Sequence, residues 1–190
     1  MKKLITTITM LLLFATGCSD QIGITSPEQS VQTQEVNWLV SLPYKGLTVN
    51  SIHSASGLID GSKGGDVDFK IEIPGGPFGK IKIDSKLDIE PNSFTGILTI
   101  FTEIDDVNLL TTFGPHYTFD KPLKYTLKLE GIDLTGVNPD SVDFVYQSED
   151  GSIHQCEYSK LEVDLNQGKV KVENAKLPHF SRYGFVRRSN

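Results

Sequence analysis

The sequence predicts an all-β fold, an antiparallel β-sandwich of roughly eight to ten strands. From Val36 onward, apolar and polar residues alternate with a period of two, and no segment shows the period of a helix. Glycine, proline and asparagine interrupt this alternation about every 8–12 residues, as turns between short strands do. Hydrophobic residues make up 38% of the 190 positions, which is enough for one core.

The clearest strand candidates span residues 67–73 and 123–129, where apolar residues alternate with charged ones. Residues 163–165 and 170–172 flank a short loop in which Gly168 can adopt a positive φ, so they predict a hairpin. The segment 36–62 has the weakest pattern and fits an edge hairpin packed on the main domain. The remaining strand candidates span 78–83, 97–104, 142–146 and 179–186.

The N-terminus carries the pattern of an export signal. Lys2 and Lys3 form a basic start, residues 4–14 are mostly apolar, and small residues lead directly to Cys18. This order resembles a bacterial lipobox, in which the cysteine is diacylated and becomes the mature N-terminus. We therefore expect a signal peptide at 1–17 and a lipidated Cys18 inserted in a bilayer. The alternative is an ordinary cleaved signal followed by an incidental cysteine.

The polar segment after Cys18 predicts a flexible tether, so the domain plan is a lipidated cysteine and tether at 18–35 and one β-sandwich domain at 36–190. By analogy with enterobacterial sorting, Ser19 in place of aspartate favours the outer membrane over the inner. The expected location is the bacterial cell envelope.

Charge and cysteine content exclude several classes of function. Loss of Lys2 and Lys3 with the signal changes the formal net charge from −6 to −8, which argues against a nucleic-acid partner. Cys156 would have no disulfide partner once Cys18 is acylated, and we expect it to be a buried apolar residue. His154 would share a strand face with Cys156, but two ligands without a third do not make a metal site. We expect no metal and no cofactor.

Three segments together resemble the ZU-five domain, a β-sandwich module of ankyrins, netrin receptors and tight-junction scaffolds. Residues 87–94 are similar to its strand-and-turn, with Asn92 at the usual glycine position. Residues 113–123 are similar to its Phe-x-Lys-Pro strand entry, and residues 177–183 to its closing strand. The resemblance covers about 64–186 and implies a β-sandwich used for protein contacts without a cofactor.

His179-Phe180-Ser181 is the one motif with a possible chemistry, because some relatives of that domain cut their own backbone at this tripeptide. Ser181 Oγ would attack the Phe180 carbonyl and form an ester by an N-to-O acyl shift, and water would then open the ester. His179 would move the proton. The alternative is structural: Phe180 belongs to the core, and Ser181 lies in a bend or at an edge.

Other patterns are weaker. The glycine-rich residues 60–66 lack the spacing of a calcium or phosphate loop and predict a turn before a strand. Several scattered aromatic residues would either form an exposed platform that binds carbohydrate or pack in the core and on the sheet faces. These residues are Trp38, Tyr44, Phe78, Tyr117 and Tyr125. We expect a non-enzymatic, lipid-anchored module that binds another envelope protein or is structural. Self-processing between Phe180 and Ser181 is the alternative, and carbohydrate or metal binding is a remote one.

Overall fold

This computed structural model describes residues 38–39, 52–105 and 107–188. Within these residues, all the strands belong to two antiparallel sheets that pack face to face. The predicted all-β sandwich is therefore confirmed. In chain order the strands are β1 (Ile52–Asp60), β2 (Gly65–Pro74), β3 (Lys80–Ile89), β4 (Ile97–Asp105), β5 (Thr111–Gly114), β6 (Thr118–Glu130), β7 (Val142–Gln147), β8 (Ile153–Gln155), β9 (Lys160–Asp164), β10 (Lys169–His179) and β11 (Arg182–Arg187).

One sheet has six strands in the order β1-β4-β5-β11-β7-β8, and the other has five in the order β2-β3-β6-β10-β9. Consecutive strands often belong to different sheets, so several connections cross the sandwich. The described residues contain eleven strands, more than predicted, because β5 and β8 are too short to show an alternating pattern. No helix in this part of the chain is long and apolar enough to cross a membrane.

The core lies between the sheets and is filled by the inward-facing apolar residues of both. Tyr125 is fully buried at its centre, and its hydroxyl bonds Ser85 of β3 at 3.0 Å and Thr111 of β5 at 2.9 Å. These two strands belong to opposite sheets, so one phenol joins the two layers. Burial raises the pKa of Tyr125, and the ring therefore stays neutral.

The sequence predicted the local turns correctly. Asn92 has a φ of 63°, the left-handed conformation that asparagine tolerates well, and Gly168 has a φ of 55° in the β9–β10 hairpin. Residues 61–63 form the predicted turn before β2. Asp60 stabilises that turn because its carboxylate accepts hydrogen bonds from both the amide and the hydroxyl of Ser62.

The prediction of one strand over residues 179–186 is wrong. His179 ends β10 in the five-stranded sheet, whereas Arg182 begins β11 in the six-stranded sheet. Phe180 and Tyr183 are both buried, and a spacing of three residues does not fit the period of a single strand. The chain crosses between the sheets at Phe180 and Ser181.

The uncertain segment 36–62 is only partly described. Its last part is β1, which pairs with β4 along nine residues and lies at an edge of the six-stranded sheet. Trp38 forms a β-bridge with Val186, and the amide of Leu39 donates to the Phe185 carbonyl at 2.8 Å. Residues 40–51 lie outside the described residues.

The sandwich has two distinct ends. We call the end at which β11 finishes the entry end, because Trp38 lies beside Val186 there. The turns at 75–79, 131–141 and 165–168 lie at the same end. The opposite end carries the crossing at 180–181 and the loops 115–117 and 148–152, and we call it the cleft end.

Candidate binding cleft

A cleft of about 480 Å³ opens at the cleft end of the sandwich. Three segments far apart in the sequence form it: the end of β5 with its following loop, the loop after β7, and the crossing into β11. Its volume lies in the range of sites that hold a small molecule or a few residues of peptide. The lining residues are Thr112, Phe113, His116, Gln147, Ser148, Glu149, Gly151, Phe180, Ser181 and Arg182.

The floor of the cleft is aromatic and rigid. The Phe113 and Phe180 rings are stacked with centroids 5.6 Å apart, and Phe119 packs edge-on against Phe180 at 4.7 Å. Phe113 also contacts the central Tyr125 at 4.8 Å. The floor is thus an extension of the core, and it is held in one position by ring packing.

The rim is polar and carries charges of both signs. His116 Nδ1 lies 3.6 Å from a carboxylate oxygen of Glu149, and both side chains are largely exposed. Arg182 is exposed at the start of β11, and it forms no ion pair with any residue that the structure describes. An apolar floor below one free guanidinium suits a partner that brings an apolar group together with a carboxylate.

The structure separates the roles that the sequence assigned to the tripeptide. Phe180 is 2% exposed and belongs to the aromatic floor, as the structural alternative predicts. His179 Nδ1 lies 3.3 Å from the Phe180 carbonyl oxygen, and its ring packs edge-on against Tyr146 at 4.9 Å. The Ser181 hydroxyl donates instead to the Gln147 carbonyl oxygen. In this geometry no hydrogen bond links His179 to Ser181.

Hydrogen bonds fix the peptide unit that precedes Phe180 and the one that follows Ser181. Its amide donates to the Tyr117 carbonyl at 3.0 Å, and the Ser181 carbonyl accepts from the Phe113 amide at 3.2 Å. The Tyr183 hydroxyl donates to the His179 carbonyl at 2.7 Å. The crossing between the sheets is therefore a well-bonded corner that closes one side of the cleft.

The structure does not bring His154 and Cys156 together on one face. Strand β8 ends at Gln155, so the alternation stops before Cys156. His154 is exposed and stacks on Tyr146 at 4.9 Å, whereas Cys156 is buried with its Sγ 3.2 Å from the Lys176 carbonyl oxygen. Burial raises the pKa of Cys156 to about 12, so the thiol is neutral and unreactive.

No group of three or more potential metal ligands occurs among the residues that the structure describes. The aromatic residues do not form one exposed platform either. Tyr125 is in the core, Tyr117 packs on Phe94 and Phe119, and Phe78 is exposed at the entry end. Tyr44 and Cys18 lie outside the described residues.

Sequence reasoning missed a second polar cluster, centred on the buried carboxylate of Asp143. Its Oδ1 accepts from the Tyr158 hydroxyl at 2.8 Å and from the Phe144 amide at 2.9 Å. Its Oδ2 accepts from Gln155 at 3.3 Å and from both Nε and Nη2 of Arg188. The cluster fastens the end of β11 to β7 and to the segment that follows β8.

These hydrogen bonds set the protonation state of the cluster. Burial alone would raise the pKa of Asp143, but the hydrogen bonds from Arg188, Tyr158 and Gln155 outweigh it and hold the pKa below its usual range. Burial and the bond to Asp143 raise the pKa of Tyr158 to about 12. One acidic residue between Val142 and Phe144 in an apolar strand was the available sequence signal.

Comparison with protein-family models, with curated proteins and with solved structures found no match to this chain. The resemblance to the ZU-five family therefore stays a prediction.

Proposed function

We propose that this protein is a lipid-anchored module of the bacterial cell envelope that binds another envelope protein in the cleft and catalyses no reaction. The lipidated residue is Cys18, and Ser19 favours the outer membrane. The basic start, the apolar run and the small residues before Cys18 support the anchor. The resemblance to a protein-contact module supports the binding role.

One structural observation carries the proposal: the chain enters the domain at one end, and the cleft opens at the other. Trp38 directly follows, in the chain, the segment that begins at Cys18, and it forms a β-bridge with Val186 at the entry end. Strand β11 has six residues. At about 3.3 Å per residue the two ends are therefore separated by about 20 Å. The segment that leads back to Cys18 therefore joins the domain at the end opposite the cleft, so the tether does not start at the cleft.

The chemistry of the cleft indicates what kind of segment it binds. Phe113 and Phe180 offer an apolar floor, and Arg182 offers a guanidinium without an ionic partner among the described residues. We infer that the partner inserts an apolar side chain onto the floor and places a carboxylate at Arg182. Charge-assisted hydrogen bonds to arginine provide both affinity and orientation.

Affinity capture from detergent-solubilised envelopes tests this binding role. The wild-type protein is expected to retain a reproducible partner, and Arg182→Glu is expected to lose it. Lys70→Glu is the matched control, because it makes the same change of charge at an exposed lysine of β2, far from the cleft. Equal capture by wild type and Arg182→Glu, or capture of background proteins alone, would contradict the proposal.

The anchor has a separate test. Labelled palmitate is expected to enter the wild-type protein, and the processed protein is expected to sediment with membranes. Cys18→Ser should abolish both the label and the sedimentation. Cys156→Ser is the control, because Cys156 is buried and should not accept lipid. Label retained in Cys18→Ser would show that the anchor is elsewhere.

Self-processing between Phe180 and Ser181 is the second candidate function. One observation favours it: His179 Nδ1 lies 3.3 Å from the oxygen of the carbonyl that Ser181 would attack, so a protonated His179 would polarise that carbonyl. The reaction also requires Ser181 to leave its hydrogen bond to Gln147 and to find a base. The structure favours the binding role because this bond directs the serine proton to a carbonyl oxygen, which is not a base.

A further inference from the structure

We propose that the edge of β1 is an assembly site at which two copies of this chain pair antiparallel about a two-fold axis at Ser56. The pairing would join the six-stranded sheets of both copies into one continuous sheet. This inference concerns an edge that contributes no residue to the lining of the cleft, and it does not depend on the anchor or on the envelope partner.

The first observation is that the residues of β1 are not of the kinds that protect sheet edges. It is nine residues long, it carries no charged residue before Asp60, and it contains no proline. Its outward-facing side chains are Ile52, Ser54, Ser56 and Leu58. Long, flat and uncharged edge strands pair readily with other strands.

The other three edges are protected. Strand β2 has the outward-facing charged residues Asp66, Asp68, Lys70 and Glu72, and it ends at Pro74. Strand β9 has five residues, three of them charged, and β8 has only three residues. Among the described strands, β1 is therefore the edge that invites addition of another strand.

The second observation is that three large apolar side chains on or beside this edge are exposed. Leu58 is 73% exposed, Ile52 is 65% exposed and Ile97 of β4 is 64% exposed. Ile97 lies opposite Asp60 in the pairing of β1 with β4. By contrast, lysines and carboxylates in ion pairs cover the outer face of the five-stranded sheet. Leu58 and Ile97 lie diagonal to each other near one end of β1, whereas Ile52 lies at its other end, about 20 Å away.

The third observation is that β1 complements itself. When Ser56 faces Ser56 of the second copy, Ser54 faces Leu58, and Ile52 faces Asp60. Each Leu58 then lies diagonal to Ile52 of the other copy, within reach of a long side chain. All nine residues pair, which provides about eight to ten backbone hydrogen bonds.

The lack of charged residues along most of β1 favours a second copy of this strand over a charged strand as its pairing partner. In this register the two Asp60 carboxylates lie at opposite ends of the paired strands, about 26 Å apart. No like charges face each other across the pair. A partner strand as charged as β2 would place carboxylates and lysines against Leu58 and Ile52. A closed two-fold pair also leaves no further copy of this edge free.

The antiparallel pair is compatible with a membrane anchor. It points the two entry ends in opposite directions, so one tether must pass along its own domain. The twenty residues from Cys18 to Trp38 reach at most about 66–72 Å. Strand β1 covers only about 30 Å.

The test is sedimentation equilibrium of the chain from Ser19 onward at concentrations up to about 0.5 mM, because small interfaces are weak. A monomer–dimer equilibrium is expected for wild type. Ser56→Lys should shift it at least tenfold toward monomer, because two ammonium groups would face each other. Thr99→Lys is the matched control on β4, where the same charge stays outside the strand pair. A wild-type protein that is monomeric throughout, or a dimer unaffected by Ser56→Lys, overturns the proposal.

Disulfide trapping tests the register independently. Opposed residues of an antiparallel pair have Cα atoms about 4.5–5.5 Å apart, which a disulfide can bridge. Ser56→Cys should therefore form a covalent dimer under mild oxidation. Ser54→Cys should not, since the two cysteines would be about 13 Å apart. Cross-linking of Ser54→Cys but not Ser56→Cys would refute this register. If the protein stays monomeric but binds an added peptide that extends the sheet at β1, the edge binds another partner and the self-pairing proposal is wrong.

Discussion

The substitution Asp143→Asn tests how the end of β11 is held in place. It keeps the shape of the side chain, but an amide cannot accept at both positions. Asp143 accepts bonds from Tyr158 and the Phe144 amide on one oxygen and from Gln155 and Arg188 on the other. Whichever way the amide points, its NH₂ group replaces an oxygen that accepts at least two bonds, so either the Phe144 amide or the Arg188 guanidinium faces a donor in place of its acceptor.

The size of the effect follows from the burial of the two partners. Removing one partner of a buried ion pair costs about 3–5 kcal/mol. The Asp143 side chain is 2% exposed, but the Arg188 side chain is 52% exposed, so the arginine regains water after the substitution. We therefore expect a loss of about 2–3 kcal/mol in the free energy of unfolding. For a domain of this size, Tm should fall by about 4–12 °C.

Urea unfolding followed by the fluorescence of Trp38, the only tryptophan, measures this loss. Asp140→Asn is the control, because Asp140 lies three residues earlier and its carboxylate makes no ion pair within the described chain. A loss below about 0.5 kcal/mol for Asp143→Asn would refute the reasoning, since that is the range of ordinary surface substitutions.

The difference in unfolding free energy between wild type and Asp143→Asn should also depend on pH. The pKa of Asp143 is lower in the folded protein than in the unfolded chain, where it is about 3.9. The stabilisation is therefore fully present above the unfolded pKa, and it is lost as the pH falls through the folded pKa. The difference between wild type and Asp143→Asn should be constant above about pH 5 and should shrink below about pH 4. A difference that grows on acidification would contradict this sign.

Three further predictions concern single positions. Cys156 should not react with a thiol reagent at pH 8 until urea unfolds the protein, because burial raises its pKa to about 12; fast reaction of the native protein would contradict the structure. Gly114→Ala should cost about 1–3 kcal/mol, because a Cβ there would lie 2.1 Å from the Phe101 ring; adding Phe101→Ala should relieve part of this cost in a double-mutant cycle. The intact mass of the purified chain should match the uncut sequence for days at neutral pH, as should that of Ser181→Ala; a wild-type sample that splits before Ser181 while the variant stays whole would establish self-processing.

The features that the sequence predicts well are local. The alternation in residues 67–73 depends only on neighbouring residues, and it appears as β2. The turn at Asn92 and the hairpin around Gly168 depend on the φ preferences of single residues. The burial of Phe180 in the core was one of the two alternatives that the sequence offered for this tripeptide, and the residue is 2% exposed. These features need no knowledge of which strands become neighbours.

The cleft and the open edge could not be predicted because they depend on strand order. His116, Glu149 and Arg182 come together only when β5, β7 and β11 become neighbours, and the sequence places them more than thirty residues apart. Similarly, the uncharged run in β1 becomes informative only once β4 pairs with one side of the strand and no other described strand pairs with the other side. Non-local pairing is set by the whole core and not by a local pattern.

Site-specific photo-crosslinking in intact cells tests the central claim, the proposal that the domain binds its partner at its cleft end. A photoreactive residue at Glu149, whose side chain is 90% exposed on the cleft rim, is compared with one at Gln167 in the entry-end loop between β9 and β10. We predict a discrete protein adduct from position 149 and none of that mass from position 167. The same adduct from both positions, or from position 167 alone, would contradict the proposed site.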